Sequence, residues 1–199
     1  YALPLANSAA AHQGAQTSFS AQQSRINLET RTPTALGELK TFVEGDFYGA
    51  SAANANTSGY GFELRHAYGS LGPILAGQTW SNFMDVNAMP ETLDYIGPAG
   101  NIFVRQAQVR YTHAFDQLTV SASLEAPLGN QTSAFTTQNG VTFVSPATGT
   151  ARGKMPDIVA RADYQYAKSG YVSVRGLVNQ INIDRTVGSS SLTDSKYGY

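Results

Sequence analysis

Polar and apolar side chains alternate one for one through segment after segment of this 199-residue chain, and short turns take turns with long loops between the segments. In Ser24–Thr32, Ile26, Leu28, Thr30 and Thr32 fall on one face, and Arg25, Asn27, Glu29 and Arg31 on the other. A period of two puts successive side chains on opposite sides of a β-strand. One face is apolar and the other charged, with no sign of a layer to cover the apolar face. A transmembrane β-barrel around a watery lumen satisfies both faces at once.

The same reading along the chain predicts eight strands: Gln22–Thr32, Leu39–Tyr48, Tyr60–Gly69, Ile74–Ser81, Ile102–Ala114, Leu118–Ala126, Asp157–Ala167 and Tyr171–Ile183. In the third, Phe62, Leu64, His66 and Tyr68 oppose Glu63, Arg65 and Ala67; in the sixth, Leu118, Val120, Ala122 and Leu124 oppose Thr119, Ser121, Ser123 and Glu125. Pro33–Gly37, Ser70–Pro73, Phe115–Gln117 and Lys168–Gly170 read as short turns. Tyr1–Ser20, Gly49–Gly59, Asn82–Asn101, Pro127–Pro156 and Asp184–Tyr199 read as loops, with a short extra strand at Val141–Val144. A strand of about ten residues, tilted near 40°, spans roughly 25 Å, the height of an outer-membrane apolar band. Phe47, Tyr48, Tyr68, Tyr111, Phe115, Tyr166 and Tyr171 cluster at strand ends, as interfacial aromatic girdles do.

Composition agrees and excludes other classes. Charged residues make up 14% of the chain, against roughly a quarter in globular proteins. The formal net charge of −1 offers no basic excess for nucleic acid. With no cysteine there is no thiol catalysis, Cys-based zinc site or disulfide. No apolar run reaches the length of a transmembrane helix, and no signal peptide stands at Tyr1. A secreted β-sandwich shares this composition, but it mixes its connection lengths more freely. The regular alternation of short and long connections matches periplasmic turns and external loops.

That alternation also sets a direction. The first connection, Pro33–Gly37, is short, so the first strand runs down from the outside, and the eighth runs up into Asp184–Tyr199. The expectation is a single β-barrel domain over 1–199, incomplete at both ends and forming the central part of a larger barrel. A self-contained eight-stranded barrel is the alternative.

Two segments, SRINLETRTPTALGELKTFVEGDFYG (Ser24–Gly49) and GFELRHAYGSLGPILAGQTWSNFMD (Gly61–Asp85), resemble the DcaP-type trimeric porins of Gram-negative outer membranes. The second is the more specific, through LRHAYG followed by LAGQTWSNF. The resemblance runs from about Ser24 to Ala126 and is mostly one of pattern beyond. It implies a sixteen-stranded barrel, a homotrimer set among outer-membrane lipid and lipopolysaccharide, and diffusion of small anions, with dicarboxylates suggested. The chain departs from the family in lacking a first strand, a coiled-coil prefix and the second half of the barrel. With one strand missing before Tyr1, Asn82–Asn101 (82–101) becomes the third external loop, which folds into the lumen of trimeric porins and constricts it. Its Pro90, Glu91 and Asp94 resemble the acidic, proline-containing constriction loops of general porins.

If the polar strand faces point inward, the pore wall offers Arg25, Arg31, Lys40, Arg65, Arg110, Arg161 and Arg175 for solute, alongside Glu29, Glu44, Asp46, Glu63, Glu125 and Asp163. Charged rings in a narrow pore select by electrostatics, and guanidinium groups grip carboxylates in a planar, two-pronged way. Arginines facing Glu91 and Asp94 create a transverse field that orients a passing solute. Arg65 and Arg110, mid-strand and beside the loop, are the strongest candidates, followed by Arg25. The alternative is a set of salt bridges within the wall that only solvate the interior.

Nothing in the chain asks for a cofactor or catalysis. His12, His66 and His113 lack metal-ligand spacing. Glu44 and Asp46 share a strand face as an acid/base pair does, but lumen charge explains them more simply. No phosphate loop or nucleophile elbow is present. The competing functions are a secreted β-sandwich or lectin-like binding module, and a small membrane barrel serving as anchor or adhesin.

Overall fold

The computed structural model describes residues 19–49, 60–89, 102–127, 133–138, 141–146, 155–168, 170–187 and 190–198. Among them every regular element is a strand: β1 (Arg25–Thr34), β2 (Gly37–Gly49), β3 (Gly61–Leu71), β4 (Ile74–Trp80), β5 (Arg105–Phe115), β6 (Leu118–Glu125), β7 (Ser133–Gln138), β8 (Val141–Pro146), β9 (Asp157–Ala167), β10 (Gly170–Val187) and β11 (Ser190–Gly198). They form a nine-stranded sheet ordered β1-β2-β3-β4-β5-β6-β9-β10-β11 and a separate β7-β8 pair. Each strand of the larger sheet pairs with its neighbours along that order, the antiparallel meander of an up-and-down barrel wall.

The turns explain the meander. Asp116 holds a positive φ of 40° between β5 and β6, a conformation that Asp tolerates in tight turns. Gly72, at φ 56°, does the same between β3 and β4. Between β1 and β2, the Thr34 hydroxyl donates to the Gly37 carbonyl at 2.6 Å and accepts from the Leu36 amide at 3.2 Å.

The burial pattern is inverted relative to a soluble sheet protein. Val109, Leu124, Ile158, Val172, Val174 and Val178 are exposed, whereas Gln106, Gln108, Ser123, Glu125 and Asp157 are buried. The buried apolar side chains among the described residues are Met84 and Val159. A β-sandwich buries its apolar faces against each other; here those faces are turned outward, as in a barrel whose outside meets lipid.

Contacts divide the chain into two compact units. The smaller holds Tyr1–Ile26 and Gly45–Glu63. Within it the Phe47 amide donates to the Gln22 carbonyl at 3.2 Å, and the Phe47 and Phe62 rings meet edge to face at 5.7 Å. The larger holds Asn27–Glu44 and Leu64–Tyr199, and contains the polar site described below.

Several sequence expectations change. β9 keeps the expected bounds, while β1 starts at Arg25, β3 runs on to Leu71 and β5 begins at Arg105. Within Pro127–Pro156, read as irregular apart from Val141–Val144, β7 and β8 form a paired hairpin. The tail beyond Asp184 is not a loop: β10 continues to Val187 and β11 pairs with its far half, from Asn179↔Gly198 to Val187↔Ser190. The face assignment of β3 also slips. Arg65 and His66 are consecutive and both buried. His66 Nδ1 lies 3.0 Å from Thr79 Oγ1, and Tyr68 pairs with Gly77, itself paired with Gln108. His66 and Tyr68 therefore share the inward face and not that of exposed Leu64. Residues Glu91 and Asp94, and the loop from Pro90 to Asn101, lie outside the described residues.

Candidate functional site

The site begins where β4 ends. The Ser81 amide still donates to the Val104 carbonyl at 3.0 Å, and then the chain turns: Met84 N donates to the Ser81 carbonyl at 3.0 Å and Phe83 N to Ser81 Oγ at 3.1 Å. A serine hydroxyl capping its own turn in this way is a local alternative to the strand ladder. The turn is fastened from β6. Glu125 Oε1 accepts from the Asn82 amide at 2.8 Å and from Ser123 Oγ at 2.7 Å, and Asn82 Oδ1 accepts from Ser121 Oγ at 2.9 Å. Asn82 and Glu125 are each 1% exposed, so these bonds are made in a dry place where an unmade one is costly.

Alternation in β5, β6, β9 and β10 delivers a polar floor beneath this loop. Gln108 Nε2 donates to the Trp80 carbonyl at 2.9 Å, and Arg110 joins it through Nη2 at 2.8 Å while its Nε donates to Gln108 Oε1 at 2.9 Å. Gln106 Nε2 donates to the Ala126 carbonyl at 2.6 Å and to Asp157 Oδ2 at 3.2 Å.

Asp85 is the centre of the arrangement. Its Oδ2 accepts from Tyr171 Oη at 2.8 Å and from Arg175 Nη2; its Oδ1 accepts from the Asn87 amide at 3.2 Å and stands 3.6 Å from Arg161 Nη2. Arg161 Nη1 donates to the Met84 carbonyl at 3.1 Å, and its Nε to Asp163 Oδ2 at 2.7 Å. Asp163 in turn accepts from Ser173 Oγ. Arg161 and Arg175 are register partners across β9 and β10. Burial by itself pushes the Asp85 carboxyl up, but the hydrogen bonds from Tyr171 and Arg175 and the charges of Arg175 and Arg161 outweigh it, holding the group below its ordinary value. Beside this cluster lies a cavity of about 420 Å³, lined by Arg161, Tyr171, Asn87, Gln117, Asp116 and Lys168 among others.

The expected wall residues fall into four groups. Arg31 pairs with Glu29 at 2.7 Å and Glu38 at 3.3 Å, Lys40 with Glu29 at 2.9 Å, and Arg65 with Glu44 at 3.3 Å, all within the wall strands. Arg110 serves main-chain and amide acceptors. Arg161 and Arg175 share the carboxylate of the loop residue Asp85, and Arg25 belongs to the smaller unit. Asp85 has no assigned role in the sequence pattern of the loop, and Tyr171 reads there as a girdle aromatic and not as a donor. The available signal was parity: Tyr171, Ser173 and Arg175 share a strand face, and Asp85 is the first acid after β4.

The profile of the DcaP outer membrane protein family matches residues 1–161. The chain belongs to that family. Its place is therefore the bacterial outer membrane, and the inverted burial of its strands is what that place requires. Among solved structures it is similar to the outer membrane channel DcaP of Acinetobacter baumannii, with 26% sequence identity and a TM-score of 0.63 over 89% of this chain. The chain spans 45% of the length of that channel. A comparison with curated proteins found no match. The DcaP profile ends at Arg161, so Tyr171 and Arg175 lie beyond it.

Proposed function

We propose that this chain forms part of the wall of an outer-membrane porin that lets small hydrophilic anions, dicarboxylates among them, diffuse through a water-filled lumen, within a homotrimer. In this reading 82–101 is the constriction loop, and Arg25, Arg31, Lys40, Arg65, Arg110, Arg161 and Arg175 supply the positive side of the conduit, with Glu91 and Asp94 opposite. The observation that carries it is Asp85: a residue at the start of this loop is held on the polar strand faces by two arginines 76 and 90 residues further on. A loop attached there narrows whatever passes along those faces, and arginines on the wall attract and orient carboxylates.

The test is a reversal-potential measurement on the full-length protein in planar bilayers under a salt gradient. Anion preference in the wild type, reduced by neutralising Arg65 and Arg110 together and again by neutralising Arg161 and Arg175 together, is the expected result. Selectivity untouched by either pair sinks the role given to these cations, and absence of conductance sinks the porin reading itself.

A further inference from the structure

Resting on that porin reading, we propose that Arg161, Arg175 and Tyr171 form a carboxylate-binding site which Asp85 occupies as a built-in competitor, and that an incoming solute carboxylate, seated in the adjoining cavity, displaces it. Three donors from two neighbouring strands converge on one carboxylate: Tyr171 Oη and Arg175 Nη2 on Oδ2, and Arg161 Nη2 at 3.6 Å from Oδ1. Two guanidinium groups and a phenol are the chemistry of carboxylate recognition, and the group they hold belongs to a loop rather than to the wall.

Asp85 fills this site imperfectly. It reaches each arginine through a single nitrogen, although guanidinium–carboxylate pairs are stronger when both prongs are used. The buried Arg175 Nε has no hydrogen-bond partner among the described residues. A free carboxylate, not bound by the reach of a loop, takes Nε and Nη2 together. The route is also present: two of the three groups holding Asp85, Arg161 and Tyr171, line the cavity of about 420 Å³, so a solute there touches the latch directly. Lys168 on the same cavity wall offers a second cation to the far end of a compact dicarboxylate, and the amides of Asn87 and Gln117 supply neutral polar contacts. Occupancy and loop attachment are then coupled, because a solute and Asp85 use the same donors.

The experiment measures block of single-channel current by succinate in the full-length protein. Asp85→Asn keeps the side-chain shape and removes the competing charge. Glu38→Gln removes one unit of charge from β2 without touching the cavity lining or the arginine pair. Competition predicts that Asp85→Asn lowers the half-blocking concentration at least fivefold, while Glu38→Gln changes it less than twofold. Should Asp85→Asn fail to assemble, Asp85→Glu, which retains charge in a longer arm, is compared with the wild type, and an altered half-blocking concentration is expected. Equal responses to Asp85→Asn and Glu38→Gln, or no response at position 85, overturn the competitor role while leaving the porin reading intact. A wild-type channel without anion preference overturns that reading instead.

Discussion

Arg161 and Arg175 stand directly opposite one another on adjacent strands β9 and β10, on the same face of the sheet. Like charges in that position repel and weaken a strand pair. Both reach Asp85, and Arg161 also holds Asp163, so two carboxylates answer two guanidinium groups. The strand register and the path of a loop far away in sequence are thus parts of one electrostatic arrangement.

Replacing Asp85 by Ala leaves the two guanidinium groups facing each other and removes the acceptor that Tyr171 and Arg175 use. Losing such charge-assisted bonds costs about 1–3 kcal/mol. The effect falls on residues 81–89, whose remaining ties run through Asn82, Glu125 and the Met84 carbonyl. Hydrogen exchange by mass spectrometry should show faster exchange in this loop, with the amides of β5 and β6 unchanged; uniform acceleration across the sheet contradicts a local latch.

How much of this was legible in the sequence depends on which force sets each element. Strands with one apolar and one polar face are written in the period of two, and β9 emerged with its bounds intact. β11, SSLTDSKYG, is polar on both faces, so no alternation marks it; it is defined by main-chain pairing with β10. The β3 slip at Arg65 and His66 escaped for a related reason, since a strict period of two cannot register two consecutive inward residues. The wall cations were legible as a set because parity places them on the polar faces. Their division into wall-paired and loop-paired groups was not, because Asp85 meets Arg175 across 90 residues and no local pattern encodes that meeting.

The latch has a pH dependence with a definite sign. Asp85 titrates below its ordinary value of 3.8, so it is ionised and its stabilising contribution complete above that value. The contribution is lost as pH falls through the lowered value, when protonation removes the charge that Arg161 and Arg175 share. Exchange of the loop amides, corrected for the intrinsic pH effect, should be flat from neutral pH to about 5 and rise only below 3.8. A transition centred near neutrality is incompatible with Asp85 as the controlling group.

Gly77 sets a geometric demand within β4. Its φ is 127°, and a Cβ placed there lies 2.3 Å from the Ala67 carbonyl oxygen and 2.6 Å from the Tyr68 Cα. Backbone atoms of a paired strand cannot step aside as a side chain can. Gly77→Ala should destabilise by about 1–3 kcal/mol through strain at that position. Gly176→Ala, where no atom lies within 4 Å, is the matched control. Urea unfolding in detergent, followed by tryptophan fluorescence, separates them; equal midpoints for the two variants count against a close approach at Gly77.

The orientation of the wall is testable at two adjacent residues of β10. Val174 is 70% exposed on the apolar face, while Arg175 points to the loop. If the exposed apolar face meets lipid, Val174→Arg places a charge in the membrane and costs about 2–4 kcal/mol near the bilayer midplane. A lumen position accepts the same change with little loss, because water and neighbouring carboxylates solvate it. Folding of Val174→Arg into vesicles, compared with Val174→Leu, should therefore show a large deficit for the arginine alone. Equal folding of the two variants would place Val174 in water and invert the assignment of both faces of the strand.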